Sequence, residues 1–199
     1  SHIEKEKIIG ILFARPANEV AKNEILGDIE YFHARSGDTI DFYLPGYGAH
    51  WSDQYAPDKE TVISVGGVPW YFSNSLYVNF EKELQKKIKW LSNGDCELLL
   101  LSVQNNKPET SDGITFSSAI SINVTMLLKA NLIPSAASLF SKIFNALETT
   151  PSLSIRELSD KLALNNGQHI LLDLLGIFPG GQALAKIFSR LQPYALKEL

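Results

Sequence analysis

The chain has a single cysteine, Cys96, among its 199 residues. One thiol excludes an intrachain disulfide and a thiolate metal cluster, because both need partner cysteines. The lack of disulfides is typical of proteins in a reducing compartment. Cys96 opens the apolar run 96–103, so we expect a buried, unreactive thiol rather than a nucleophile.

Long apolar runs are also missing. No stretch reaches the length of about 18 apolar residues that a membrane-spanning helix needs. The apolar run over residues 8–14 is preceded by Glu4 and Glu6 and lacks a secretory cleavage site. We therefore expect a cytoplasmic protein without a membrane partner.

Positive charge is in short supply, with 18 Lys and Arg against 22 Asp and Glu and a formal net charge of -4. Nucleic-acid affinity comes largely from clustered Lys and Arg, so this balance argues against a nucleic-acid partner. The lysine-rich stretch 82–89 follows the polar side of an amphipathic pattern, which indicates a solvated helix face.

Familiar catalytic motifs are absent as well. The sequence contains no G-x-S-x-G, Walker loop, G-x-G-x-x-G or H-E-x-x-H. This excludes the motif-bearing hydrolases, P-loop NTPases and zincins, and leaves open enzymes that lack such motifs. Nothing in the pattern predicts a cofactor or a bound metal.

A strand-helix-strand unit stands at the start of the chain. The apolar runs 8–14 and 39–44 predict two strands, and the residues between them recur with helical spacing at Ile25, Ile29 and Phe32. Such a unit is typical of α/β proteins. Further strand signals lie at 61–65 and 68–72, and the apolar run 96–103, which does not alternate, predicts a central strand covered on both faces.

One clear amphipathic helix precedes that central strand. Its apolar positions are Leu76, Phe80, Leu84, Ile88 and Leu91. Beyond residue 112 the pattern becomes helical throughout. One helix is marked by Phe116, Ile120, Val124 and Leu127, and a second by Leu139, Ile143 and Leu147. A capping box over 154–157 opens a third, and two more helical pieces cover 169–175 and 182–191.

The sequence thus predicts an α/β domain over residues 1–110 and a helical zone over 111–199. The α/β part should hold a sheet of about four strands in a three-layer or related arrangement. Whether the helical zone packs on the same core is left open.

Ligands of open α/β sheets bind beyond the carboxyl ends of the strands. That rule selects six candidate ligand-binding residues: Arg15, Asn18, Tyr47, His50, Asp53 and Gln104. Arg15 could clamp a phosphate or carboxylate, and Asn18 is a good helix cap. The competing interpretation is that residues 15–18 simply end a strand and begin a helix.

The pair His50 and Asp53 could act as an acid-base pair or as metal ligands, but no third ligand lies in register. A surface histidine is the favoured interpretation. No catalytic residue is predicted.

The first part of the chain contains, in order, residues 8–18, the helical pattern over 24–35, the strand signal 40–44, Gly66-Gly67-Val68-Pro69 and the strand signal 70–72. This path resembles the thioredoxin-like fold. In that family a Cys-x-x-Cys motif opens the first helix and faces a cis-proline before the third strand. Residues 15–18 hold no cysteine, so the resemblance implies the fold without its redox chemistry, and only Pro69 matches the cis-proline position. The long helix after residue 75 departs from the family pattern.

A second resemblance covers 143–147, 153–158, 162–164 and 168–176, which look like the helix-turn-helix of winged-helix transcription regulators. The segment that would read the major groove, 165–175, contains no Lys or Arg, so it would anchor phosphates poorly. Helical packing or docking of a partner is the favoured interpretation.

Together these features predict a non-catalytic binding or interaction module that takes a protein partner or a small anionic ligand. One alternative is an enzyme acting on a nucleotide or another small phosphorylated metabolite, with Arg15 holding the anion and His50 or Asp53 transferring a proton. A second alternative is a ligand-sensing transcription regulator. The oligomeric state is not predicted.

Overall fold

The fold is mixed α/β, as the alternation of strand and helix patterns predicts. A computed structural model describes residues 7–36, 39–88, 90–106, 113–162 and 169–172, with the backbone alone for 104–106, 113–117 and 169–172. The strands are Lys7–Phe13 (β1), Asp41–Tyr43 (β2), Tyr47–Ala49 (β3), Glu60–Val65 (β4), Val68–Phe72 (β5), Glu97–Asn106 (β6), Gly113–Asn123 (β7) and His169–Leu172 (β8). The α-helices are Ile29–Ser36 (α1), Asn74–Gln85 (α2), Val124–Lys129 (α3), Ala136–Thr149 (α4) and Ile155–Leu162 (α5), and a π-helical segment covers Ala21–Leu26.

The larger sheet has the strand order β2-β1-β6-β7-β8. β1 runs parallel to β2 and antiparallel to β6, so the predicted strand-helix-strand unit forms one side of this sheet. β6 is its middle strand, and Leu98, Leu99, Leu100 and Leu101 are all fully buried. The apolar run 96–103 therefore marks a central strand covered on both faces, as predicted.

One face of the larger sheet is covered by α2 and the segment after it. Phe13 at the end of β1 packs against Tyr77 and Phe80 of α2, with ring centroids 5.8 and 6.0 Å apart. The Trp90 ring lies closer still, at 4.6 Å from that of Phe13. Of the apolar positions predicted for this helix, Phe80, Leu84 and Ile88 are buried and Leu76 is half-buried, whereas Leu91 lies beyond the helix end and is exposed.

The opposite face is covered by α4. Gly10 and Phe13 lie on opposite faces of β1. A Cβ on Gly10 would meet the Phe42 ring at 2.3 Å, so glycine lets this ring lie flat on the strand. Phe42 packs in turn against Phe140 and Phe144 of α4. Helices on both faces make the three-layer arrangement that the sequence predicts.

A small sheet with the order β3-β5-β4 is joined to α2 through the Phe72 ring, whose centroid is 5.8 Å from that of Tyr77. The strand signal 70–72 therefore belongs to this sheet and does not lie beside β1. The described residues contain no cis peptide bond, so Pro69 does not hold a cis-proline position. The thioredoxin-like resemblance of the first strand-helix-strand unit stays a prediction.

The helix predicted around Phe116 and Ile120 is wrong, because residues 113–123 form β7 and pair with β6. A spacing of four residues fits a strand as well as a helix, and Ile114, Phe116, Ile120 and Ile122 also alternate with a period of two. The helix begins only at Val124, where the Asn123 side chain accepts a hydrogen bond from the Met126 backbone at 2.8 Å.

The helix predicted over 169–175 is also wrong for residues 169–172, which form β8 and pair with β7. These four residues lie inside the segment 165–175 that the sequence compares with a recognition helix. The helical piece predicted over 182–191 lies outside the described residues.

The other helices of this region are confirmed. α4 begins after Ser135, and Leu139, Ile143 and Leu147 are buried along it. The capping box is complete: the Ser154 backbone and hydroxyl donate to the Glu157 carboxylate, and the Glu157 backbone donates to the Ser154 hydroxyl. α5 then packs on α4 and on the strands β6 and β7. No helix in the described part of the chain combines the length and apolarity that crossing a bilayer would take.

Candidate functional site

The site that the sequence places after the first strand is built from the end of β1 and one face of α2. Arg15 donates from Nη1 to the Asn74 side-chain oxygen at 3.0 Å, and its Nη2 lies 3.6 Å from Glu81 Oε2. The guanidinium carbon is 4.4 Å from the centre of the Tyr77 ring. Residues 74, 77 and 81 follow helical spacing, so α2 presents all three partners on one face.

Arg15 is thereby engaged within the protein. Its side chain is 34% exposed, and that of Glu81 is 14% exposed, so the ion pair is shielded from water. The contact with Tyr77 adds a cation-π attraction to the same guanidinium. An anion approaching Arg15 would have to compete with Glu81 for it.

Asn18 caps the first turn after β1, as the sequence predicts. Its side-chain oxygen accepts hydrogen bonds from the Val20 and Ala21 backbones at 2.9 and 3.1 Å. Free amides at a helix start are what an anion would bind, and these two already have an acceptor.

Tyr47 lies close to Arg15 in the fold but is fully buried. Its hydroxyl donates to the Ala14 carbonyl, where β1 ends. Burial raises the pKa of Tyr47 well above its ordinary value, so the phenol stays neutral and keeps donating. This hydroxyl ties β3 to β1 and is not free to hold a ligand.

His50 and Asp53 lie in the loop between β3 and β4. The Asp53 carboxylate pairs with Lys59 at 2.9 Å, and its side chain is 95% exposed. His50 is exposed, with a left-handed backbone at φ 57°. The ion pair of Asp53 is thus with Lys59 rather than with His50, which does not favour an acid-base pair.

Gln104 occurs in β6, and its side chain lies outside the described residues. β6 runs antiparallel to β1, with Lys7 opposite Val103 and Phe13 opposite Glu97. Residue 104 therefore lies at the far end of the sheet from Arg15. The residue of β6 that comes near the end of β1 is Glu97.

Glu97 was not predicted as a site residue. Cross-strand partners share a face of the sheet, so its side chain lies on the Phe13 face beneath α2. The residue is 5% exposed, and its Oε2 has no hydrogen-bond partner among the described residues. The pKa of this carboxyl is raised to about 7, mainly by burial. A hydrogen bond from the Asn93 backbone opposes the rise, and the charges of Asp95 and Glu81 add to it.

Around Phe13 the structure thus gathers a set of polar side chains that we call the Arg15–Glu97 cluster: Arg15, Tyr77, Glu81, Trp90 and Glu97. Within the described residues, Arg15 Nε, the Tyr77 hydroxyl, the Trp90 indole nitrogen and one Glu97 oxygen are buried without a hydrogen-bond partner. Burial, with Glu81 beside it, raises the pKa of Tyr77 to about 12, while Arg15 opposes that rise.

No protein-family model, curated protein or solved structure matches this chain. The geometry of the Arg15–Glu97 cluster is therefore what indicates its chemistry. The unpartnered donors of Arg15, Tyr77 and Trp90 and the unpartnered oxygen of Glu97 are all buried atoms. Among the residues that the structure describes, no group of His, Cys, Asp or Glu side chains is arranged to hold a metal ion.

Cys96 should react very slowly with a thiol reagent in the native protein. The residue is fully buried, and burial, together with the charges of Glu97 and Asp95, raises its pKa to about 12 from an ordinary 9.0. The thiolate is the reactive form, so at neutral pH we expect labelling at least about a thousandfold slower than in the unfolded chain. Labelling with a chromogenic disulfide, with and without urea, measures the ratio; equal rates would contradict the buried thiol.

Proposed function

We propose that the protein is a non-catalytic binding or interaction module of a cytoplasmic protein. The observation that carries the proposal is the internal engagement of Arg15 by Asn74, Tyr77 and Glu81. An enzyme acting on a phosphorylated metabolite would need this guanidinium for its anion. The capping amides after Asn18 and the carboxylate of Asp53 are likewise engaged within the chain.

We further infer that the partner is a protein rather than a small anion. Several large apolar side chains are exposed: Tyr31, Tyr55, Leu91, Met126 and Leu132. Leu91 is 82% exposed, and the segment that follows it is held to the start of α3 by a hydrogen bond from Asn123 to Asp95 at 2.9 Å. α3 carries Met126, so these two side chains occur at the same end of the larger sheet and offer contact area of the kind proteins bind.

Substitution of Arg15 by alanine tests the proposal against the enzyme alternative. A thermal-shift series with nucleotides, sugar phosphates, inorganic phosphate and peptides is measured on the native protein and on Arg15→Ala. We expect no saturable stabilisation by the phosphorylated compounds in either protein, and saturable binding only among the peptides. A phosphorylated compound that stabilises the native protein and fails to stabilise Arg15→Ala would overturn the proposal.

The same substitution should also lower stability. The reason is that Glu81, whose side chain is 14% exposed, would lose its cation. We expect a loss of about 1 to 3 kcal/mol in the free energy of unfolding. Arg35→Ala is the matched control, because Arg35 has the same kinds of contact, with Glu148, Asn145 and the Phe144 ring, but the Glu148 carboxylate is 39% exposed. This substitution should cost less than about 1 kcal/mol. Equal losses would show that Arg15 is an ordinary surface cation.

A further inference from the structure

Glu97 is a carboxyl group in the interior of the larger sheet. It begins β6 and lies between Phe13 on β1 and Asn123 on β7, facing α2. A strand residue at such a position is ordinarily apolar, as Leu99 is on the same face of the strand. A buried carboxylate with an unpartnered oxygen is costly, so this residue calls for an explanation beyond packing.

The charged and titratable groups around Glu97 are mostly acidic. α2 contributes Glu81 and Tyr77, the segment before β6 contributes Asp95, and Cys96 adjoins it in the chain. Among the described residues on this side, the cation is Arg15, which is paired with Glu81. Asp95 receives a hydrogen bond from Asn123. Within the described part of the chain, a negative charge on Glu97 therefore faces the carboxylates of Asp95 and Glu81 and has no cation beside it.

Such an acidic cluster would ordinarily suggest a bound cation. The described residues offer no group of three metal-binding side chains here, and the space beneath α2 is filled by the rings of Phe13, Tyr77 and Trp90. The cation that fits a single buried carboxyl oxygen without displacing these rings is a proton.

We propose that Glu97 is a proton-binding switch: its uncharged form lets α2 and the segment of Trp90 pack on the sheet, and its charged form loosens them. Phe13 is the link, because it pairs across the strands with Glu97 and packs against Tyr77, Phe80 and Trp90. A charged Glu97 draws water towards itself, and α2 and Trp90 cover the face of the sheet on which its side chain lies.

The pKa of Glu97, which burial raises to about 7, sets the pH range over which the switch operates. A carboxyl whose pKa is raised in the packed state stabilises that state at low pH, and the stabilisation is lost as the pH rises towards 7. The packed form should therefore weaken between the ordinary carboxyl pKa of 4.5 and about 7, with little further change above that range.

Hydrogen exchange of the α2 backbone amides, corrected for the intrinsic effect of pH, is the direct test. In the native protein we expect the opening equilibrium to increase by up to about tenfold per pH unit between pH 5 and 7 and to level off above. Trp90 contributes a fluorescence change over the same range, which is assigned by repeating the titration on Trp90→Phe.

Variants separate the switch from general acid sensitivity. Glu97→Gln keeps the shape but cannot ionise, so exchange in α2 should become independent of pH and stay at its low-pH value. Glu148→Gln removes a surface carboxylate and should leave the native pH profile unchanged. Glu81→Gln removes a facing charge and releases Arg15, so the midpoint should move to lower pH.

The proposal is overturned if Glu97→Gln retains the native profile. It is equally overturned if the carboxyl carbon of Glu97, followed by NMR in the native protein, titrates while exchange in α2 stays constant. That NMR measurement needs no substitution, so the proposal can be decided even if the glutamine variant is poorly folded.

Discussion

Replacing Leu99 with alanine should lower the free energy of unfolding by about 2 to 5 kcal/mol, the range for buried leucines whose removal leaves a cavity. Leu99 is fully buried in the middle strand of the larger sheet. It pairs with Ile11 on one side and with Ser121 on the other, so neither neighbour can move in without breaking strand pairing. Urea unfolding followed by tryptophan fluorescence measures the loss.

Leu91→Ala is the matched control for this experiment. The amphipathic pattern assigns Leu91 to the buried side of α2, but the helix ends at Gln85 and the side chain is 82% exposed. The same truncation should therefore cost less than about 0.5 kcal/mol. A loss as small as that for Leu99→Ala would contradict the central position of β6.

Strands with short apolar runs that do not alternate are predictable because burial on both faces removes the polar positions and the run is too short for a typical helix. β1 and β6 both belong to this class and occur where the sequence places them. The three-layer arrangement follows from them, since a doubly buried strand needs cover above and below. The capping box at Ser154 is predictable for a different reason: it depends on residues three positions apart and needs no information on tertiary packing.

β7 escapes prediction because its apolar residues satisfy two periods at once. Phe116 and Ile120 are spaced as on a helix, and the strand pairing that decides the matter comes from β6. The sequence does not show which strand a segment will pair with, and this pairing overrides the local preference of the residues for helix or strand. His169–Leu172 is a strand for the same reason, because it gains its hydrogen bonds from β7.

The candidate site was predicted in part. The end of β1 points to Arg15, which the structure places in a polar cluster, but its partners Tyr77 and Glu81 come from α2, far along the chain. The prediction of Gln104 holds only if the central strand runs parallel to β1, because the carboxyl ends of parallel strands lie at the same edge of a sheet. The strand runs the other way, which replaces Gln104 by Glu97 at this end of the sheet. A glutamate that interrupts an apolar strand is the signal that could have identified it.

The aromatic layer between α4 and the sheet gives the other large effect. Phe140 is 1% exposed, and its ring centroid lies 4.5 Å from that of Phe32 and 5.4 Å from that of Phe42. Phe140→Ala removes the ring that joins α1, β2 and α4. We expect it to lower the free energy of unfolding by about 3 to 5 kcal/mol in urea.

Tyr55→Ala is the control for loss of an aromatic ring, because Tyr55 is 47% exposed in the loop before β4 and should cost no more than about 1 kcal/mol. A double-mutant cycle with Phe42→Ala then tests whether the two rings act together. Because either single substitution already removes the contact between Phe42 and Phe140, the double variant should lose less than the sum of the single losses, by about 0.5 to 1.5 kcal/mol. Strict additivity, or a loss for Phe140→Ala no larger than that of Tyr55→Ala, would show that α4 does not cover this face of the sheet, and the three-layer arrangement would then be wrong.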